Sequence, residues 1–385
     1  MSRVAVSKKM LDWALDRSGL TLSDLEGKFP KLRQWIDGEK QPTLRQLESL
    51  SKSTLTPFGF FFLKEPPEER FPIPYFRTLG DEASYGHSPD ILETIHTMQR
   101  RQDWYREFLL DQGIEELTFV RSVKSSEPPA SVGQKIREAL HLDMRWASQQ
   151  SSWTDALHVL REAMENAGII VVVNGIVGNN TRRKLDTEEF RGFVIVDDIA
   201  PLVFVNGADG KAAQMFTLAH ELAHVFFGSS AAFDLREMSP ASDPMEQACN
   251  KVAAEFLVPE RQIRRIWPSI RNNPERFQLL AREFKVSVLV TARRVLDLEL
   301  IAKKEFLEFY HDYLNDERRK SARRKDGGDF YATQNLRVGH RFASAVIRAA
   351  KEGKLLYSEA YRLTGLHGKT FDGYAAYLGF GRSQR

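Results

Sequence analysis

Cysteine is almost absent from this chain of 385 residues, which contains only Cys249. A single cysteine cannot form an internal disulfide, so the chain is not a disulfide-stapled secreted domain. The first residues lack the apolar stretch of a secretory signal, and no uninterrupted hydrophobic run is long enough to span a bilayer. We therefore expect a soluble cytoplasmic protein with no membrane partner.

Net charge is also small, because 55 basic and 52 acidic residues leave only +3. This balance says little about partners, and the sequence does not fix an oligomeric state. One local cluster stands out, the basic segment at 318–325, which either touches nucleic acid or forms a solvated linker. With 42% hydrophobic and 28% charged residues, the composition is typical of a globular protein, and the length predicts two or three domains.

The most informative motif is the run His220-Glu-Leu-Ala-His224. Two imidazoles four residues apart lie on one face of a helix and can share a metal ion, while Glu221 between them can reach a water. A short β-branched and aromatic run at 200–207 precedes the motif, and a helix is expected from about residue 210 to the stop at Gly228. This combination is typical of zinc hydrolases, although such a pentapeptide also occurs by chance in ordinary helices.

A second helix, expected at 244–258, supplies two candidates for a third ligand, Glu246 and Glu255. Helical phase places Glu246 within an apolar stripe and Glu255 on the opposite side. A buried carboxylate is costly unless it is paired or metal-bound, so Glu246 is the preferred ligand and Glu255 is expected to be solvated. Asn250, one turn beyond Glu246, is expected to hydrogen-bond a ligating histidine.

The two helices resemble those of the ImmA/IrrE-like zinc metallopeptidases, in which HExxH is followed by a helix of the form E-x-x-C/A-N-x-x-A-A-E-x-L-x-P. The chain has this second pattern at 246–259, and the resemblance extends over roughly residues 70–300. It implies that His220, His224 and Glu246 bind zinc and that Glu221 is the catalytic base. It also implies a protein substrate, often a transcriptional repressor whose cleavage switches on stress or mobile-element genes.

The first 65 residues resemble an Xre-type helix-turn-helix module, with a capping box at Thr21 and Asp24. The resemblance implies a recognition helix that enters the major groove of DNA, and the candidate contacts are Lys31, Arg33 and Gln34. The chain between Leu25 and Trp35 is, however, shorter than usual and carries Pro30, which disfavours a regular helix there. DNA binding and a packing or dimerisation role both remain open.

The expected fold is α+β and mostly helical, with a zincin-like metallopeptidase core, a small antiparallel sheet, and helical N- and C-terminal domains. The sheet strands are expected at 168–173, 190–196 and 202–205, and the domains at 1–65, 66–300, 301–328 and 329–385. The expected function is a zinc endopeptidase that cleaves a partner protein. The alternative is a DNA-binding regulator or antitoxin in which a zinc site serves only folding.

Overall fold

The computed structural model describes residues 3–69, 75–76, 88–233, 243–315 and 329–381. The chain divides into two compact units, Met1–Pro72 with Gly80–His96, and Ile73–Leu79 with Thr97–Arg385. The basic segment 318–325 and most of the proline-rich segment 66–74 lie outside the described residues. Within the described part of the chain, every helix is too short or too polar to cross a bilayer.

The first unit is a bundle of short helices: α1 (Lys8–Ser18), α2 (Leu22–Glu26), α3 (Leu32–Ile36), α4 (Leu44–Ser53) and a 3₁₀ helix (Phe58–Phe62). The predicted capping box of α2 is confirmed, because the Thr21 and Asp24 side chains each hydrogen-bond the other residue's backbone N–H. Pro30 lies between α2 and α3, and α3 has only five residues. The hydrophobic core of the unit includes Leu32, Trp35 and Phe61, which are almost completely buried.

The sheet of the second unit contains β1 (Tyr75–Phe76), β2 (Ile170–Asn174), β3 (Gly192–Ile195), β4 (Leu202–Asn206) and β5 (Ala231–Phe233), in the order β1-β5-β3-β4-β2. The predicted fold class is confirmed, but the sheet is mixed rather than antiparallel. β3 runs antiparallel to β4 and β5, whereas β2 is parallel to β4 and β1 to β5. The fully buried apolar run of β2 fits this arrangement, because parallel strands are covered on both faces.

The helices that follow are α5 (Pro89–Asp111), of which residues 97–111 belong to the second unit, α6 (Pro129–Ala139), α7 (Trp153–Asn166), α8 (Lys211–Phe227), α9 (Pro244–Leu257), α10 (Glu260–Ile270), α11 (Arg276–Phe284), α12 (Val288–Asp297) and α13 (Lys303–Asn315). α8 packs against β3, β4, α7 and α9, so both of its long sides are covered. This burial explains why nearly every residue of α8 from Met215 to Phe226 is inaccessible to solvent. The helices predicted from sequence periodicity at 210–228 and 244–258 are confirmed.

The C-terminal helices are α14 (Phe330–Val338), α15 (His340–Lys351), α16 (Tyr357–Thr364) and α17 (Gly368–Tyr377). They belong to the same compact unit as the sheet. α14 packs on β2, and the backbone N–H of His340 donates to Glu165 Oε1 at 3.0 Å. Gly339 has a left-handed φ of 86° and lies so close to the Val171 carbonyl that a side chain there would be crowded.

Candidate metal centre

α8 carries His220, Glu221 and His224, and all three side chains are completely buried. The helix ends at Gly228, whose φ of 79° requires glycine and whose N–H donates to the His224 carbonyl at 2.8 Å. The packing of α8 between the sheet and α9 aims the two imidazoles at α9. A helix interior without Gly or Pro between residues 211 and 227 keeps the four-residue spacing regular.

α9 places Glu246 by means of a strong N-terminal signal. Asp243 is the N-cap, and its Oδ1 accepts the backbone N–H groups of Met245 and Glu246 at 2.7 and 3.2 Å. Pro244 follows at the first helical position, where its missing N–H costs nothing. Glu246 therefore lies in the first turn, where the helix dipole stabilises its negative charge.

Three donor groups converge where α8 faces α9. The Nε2 atoms of His220 and His224 are 3.1 Å apart, and each lies 3.0 Å from an oxygen of the Glu246 carboxylate. Within the described residues, this is the one cluster of at least three His, Cys, Asp or Glu side chains whose ligand atoms lie within 4.8 Å of one another. Ligands of a tetrahedral zinc ion at bond lengths of about 2.0–2.1 Å would be separated by about 3.3 Å.

Asn250 hydrogen-bonds one of the two imidazoles. The Nδ1–H of His220 donates to Asn250 Oδ1 at 3.1 Å, which leaves the lone pair of His220 Nε2 directed at the cluster. Burial lowers the pKa of His220, so the ring is neutral at pH 7. His224 differs, because its buried Nδ1 has no hydrogen-bond partner among the described residues.

The Glu246 carboxylate is also ready to act as a ligand. Both of its oxygens are buried, and within the described structure neither makes a geometrically aligned hydrogen bond. Lone pairs on Glu246 and on His220 at 3.0 Å repel each other unless a cation lies between them, so this donor set fits a metal ion.

Glu221 has no aligned hydrogen bond to any described residue, although both of its oxygens are buried. Burial and the nearby charge of Glu246 raise the pKa of Glu221 well above its usual range. Such an elevated pKa is typical of carboxylates that exchange protons with a substrate. β3 runs close by: a Cβ added at Gly192 would lie 3.1 Å from Glu221 Oε1, so only glycine fits there without displacement.

The prediction that Glu255 is solvated is wrong. Glu255 is buried and forms an ion pair with Arg294 of α12, whose guanidinium also donates to the Val258 carbonyl. Arg137 of α6 donates to the Phe256 carbonyl at 3.2 Å. These contacts hold the C-terminal end of α9 against α6 and α12, so Glu255 has a structural partner and the third donor of the cluster is Glu246.

Two arginines and the single cysteine lie outside the cluster. Arg191 forms an ion pair with Asp209 at 3.2 Å, and Arg182 is exposed in the loop after β2. Cys249 is completely buried in α9, and burial raises the pKa of its thiol well above the usual range. This burial indicates that Cys249 packs in the core.

The possible DNA-contacting residues lie in the first unit. Lys31 and Arg33 are exposed at the start of α3, and Arg33 lies 3.6 Å from Glu26. Gln34 is half-buried, and its Oε1 is buried without a hydrogen-bond partner among the described residues. Two of the three side chains are thus accessible to a ligand.

Sequence reasoning missed Asp243 and Gly192 as parts of the site. The Asp-Pro pair at 243–244 is a readable helix-start signal that fixes the phase of Glu246. Gly192 has no comparable local signal, because its role depends on contact with α8, which follows it in the chain.

Comparison with known families agrees with this geometry. Residues 164–296 match the Peptidase M78 family model, described as the IrrE N-terminal-like domain, and this stretch contains α8, α9 and the whole cluster. Residues 338–377 match a domain of unknown function, DUF8813. A search of curated proteins found no match to the chain. The family match supports the ImmA/IrrE resemblance and a metallopeptidase-type function in general, with a buried site suited to a metal ion.

Proposed function

We propose that the chain is a zinc-dependent endopeptidase of the HExxH type. The observation that carries this proposal is the convergence of His220, His224 and Glu246 beside the buried carboxylate of Glu221. Structural zinc sites have four protein ligands, whereas catalytic sites use three and keep one position open. Three donors in the cluster, counted over the described residues, favour catalysis over a structural metal.

When bound, zinc supplies a Lewis acid that polarises the scissile carbonyl and lowers the pKa of water to about 7. Glu221 accepts the proton of the attacking water and then passes it to the leaving amine. Burial and the nearby charge of Glu246 raise the pKa of Glu221 above its usual range, which makes the carboxylate a stronger proton acceptor. Asn250 keeps the His220 ring in one tautomer, and Asp243 holds Glu246 in place throughout the cycle.

The proposed substrate is a partner protein, in particular a transcriptional repressor in a stress or mobile-element response, and the proposed compartment is the cytoplasm. The support is the resemblance to ImmA/IrrE-like peptidases together with the match at 164–296. The proposal is tested by incubating the zinc-loaded chain with repressors encoded beside it and mapping any cut by mass spectrometry. A repressor that is cut only by the zinc-loaded chain supports the proposal.

The ligand set is tested by Glu246→Ala. Loss of an outer-shell partner costs about 10- to 100-fold in metal affinity, and loss of a direct ligand should cost more. Glu162→Ala, on the exposed face of α7, is the matched control. Zinc bound by Glu246→Ala as tightly as by the control, in an assay with a competing chelator, would contradict the ligand assignment.

The second candidate is a DNA-binding regulator, favoured by the exposed side chains of Lys31 and Arg33 on the short helix α3. Phosphate contacts by these residues would make binding strongly dependent on salt. Gel-shift assays of wild type and of a Lys31→Gln, Arg33→Gln double variant over a salt series test this candidate. Equal binding by both proteins, or none at low salt, would exclude these residues as DNA contacts.

A further inference from the structure

A cavity of about 240 Å³ lies between α5 and α16, in the second unit. Its α16 side belongs to the segment that matches the domain of unknown function. The volume is below the roughly 300–1,000 Å³ of typical pockets for drug-sized ligands, so it suits a small molecule. Trp104 and Leu363 give it an apolar wall, and Thr97 and five charged side chains form the rest.

The charges that line the cavity are unequal. Arg100, Arg101 and Arg362 face it together with Asp103 and Glu359, which leaves a net positive charge. Arg362 lies 3.5 Å from Glu359 and is therefore partly compensated. Arg100 donates to Thr97 Oγ1 at 3.0 Å and, within the described part of the chain, has no carboxylate within ion-pair distance.

Arg101 is the deepest of these side chains, with only 5% of its surface exposed. Its Nε–H donates to the Leu363 carbonyl at 2.8 Å and its Nη1 to the Arg337 carbonyl at 2.9 Å. Both acceptors lie in the last turn of a helix, α16 and α14, where the dipole is negative. These bonds tie α5 to the C-terminal helices, but no described carboxylate neutralises the guanidinium.

A buried cation without an anionic partner is costly, and here a second arginine lies beside it. Burial lowers the pKa of Arg101 to about 10, which still leaves the group charged at pH 7. The two carbonyls occupy Nε and one donor of Nη1, and Nη2 has no hydrogen-bond partner among the described residues, so its donors are free for a ligand in the cavity that Arg101 lines. Such a planar donor edge matches the paired oxygens of a carboxylate or a phosphate.

We propose that this cavity binds a small oxyanion, a carboxylate or phosphate group held by Arg101 at the base and by Arg100 and Arg362 at the rim. The site is separate from the metal cluster and does not depend on the proposed peptidase function. Its occupant would stabilise the contacts that Arg101 makes with the ends of α14 and α16.

The test is isothermal titration of the full chain with inorganic phosphate and, separately, with succinate, at an ionic strength held constant with sodium chloride. Arg101 variants risk losing the C-terminal packing, so the diagnostic variants are Arg100→Gln and Arg362→Gln, whose side chains are exposed. Arg348→Gln, an exposed arginine of α15 that does not line the cavity, is the matched control.

We expect one of the two anions to bind wild type and Arg348→Gln equally. The dissociation constant should be about 10- to 100-fold larger in Arg100→Gln, because one charge-assisted hydrogen bond is lost. It should change less in Arg362→Gln, because Arg362 is already paired with Glu359. Binding of phosphate alone would assign the site to phosphorylated molecules, and binding of succinate alone to carboxylates. No binding of either at millimolar concentration, or equal binding by all variants, would overturn the proposal.

Discussion

Gly192→Ala probes the closest approach between the sheet and the helix that carries Glu221. An added Cβ would lie 2.5 Å from Thr217 Cγ2, 2.8 Å from the Phe204 carbonyl oxygen and 3.1 Å from Glu221 Oε1. Contacts below 3.0 Å cannot persist. The Phe204 oxygen belongs to β4, which pairs with β3 and cannot retreat without disturbing the sheet. Either β3 or α8 must move.

Overpacking of this kind costs about 1–3 kcal/mol in the free energy of unfolding. At about 2–4 °C per kcal/mol for a domain of 150–250 residues, the melting temperature should fall by about 2–12 °C. If the chain is the zinc peptidase proposed above, the same displacement would shift Glu221, and a shift of about 1 Å can reduce the cleavage rate roughly 100-fold. Calorimetry measures the first effect, and cleavage of a repressor that the zinc-loaded wild type cuts measures the second.

Gly133→Ala is the matched control, because α6 packs against α9 as β3 packs against α8. A Cβ at Gly133 would lie 3.4 Å from Glu255 Cγ, an ordinary van der Waals distance. Since alanine also favours the helix by up to about 1 kcal/mol, this variant should be as stable as wild type or more so. If Gly192→Ala melted at the wild-type temperature, the close approach of β3 to Glu221 would be refuted.

Three further predictions concern side-chain partners. Asn250→Ala should weaken zinc binding about 10- to 100-fold, measured by chelator competition, because His220 loses its oriented tautomer; unchanged affinity would contradict this role. Arg294→Met should lower the free energy of unfolding, measured in urea, by about 3–5 kcal/mol, because Glu255 is left as a buried unpaired charge. Adding Glu255→Leu to this variant should restore most of the lost stability. If the double variant is no more stable than Arg294→Met, the ion pair is not the cause. Burial raises the pKa of Glu165 to about 7, above its unfolded value, so ionisation of this acid opposes folding as pH rises from about 4.5 to 7. Glu165→Gln should therefore raise the free energy of unfolding by at most about 3 kcal/mol at pH 8 and leave it unchanged at pH 4. A difference in the free energy of unfolding that does not change with pH would refute the assignment.

Local signals account for the parts of the site that the sequence could predict. The i, i+4 spacing of His220 and His224, the stop at Gly228 and the apolar stripe around Glu246 are all properties of a single helix. Their consequences follow from helical geometry alone, so α8 and α9 could be located and their facing residues chosen. The hydrogen bond between Asn250 and His220 could be predicted too, because Asn250 is one turn from Glu246 on the same face of α9.

Long-range partners account for the parts that the sequence could not predict. Glu255 is buried because Arg294, 39 residues away, meets it, and helical phase carries no information about that partner. The parallel pairing of β2 with β4 places β3 on the far side of β4, an order that strand patterns do not specify. Likewise, the packing of α14 on β2 joins the C-terminal helices to the core, whereas periodicity indicated only that helices were present.

The most direct test of the central claim compares wild type, Glu221→Gln and the exposed-face control Glu162→Gln for bound zinc and for cleavage of co-purifying or genetically neighbouring proteins. The amide introduced by Glu221→Gln keeps the shape of the side chain but cannot accept the proton of the attacking water. The account predicts zinc in all three proteins, and cleavage by wild type and Glu162→Gln only. Cleavage by Glu221→Gln at the wild-type rate, or zinc in every protein with no cleavage by any, would contradict it.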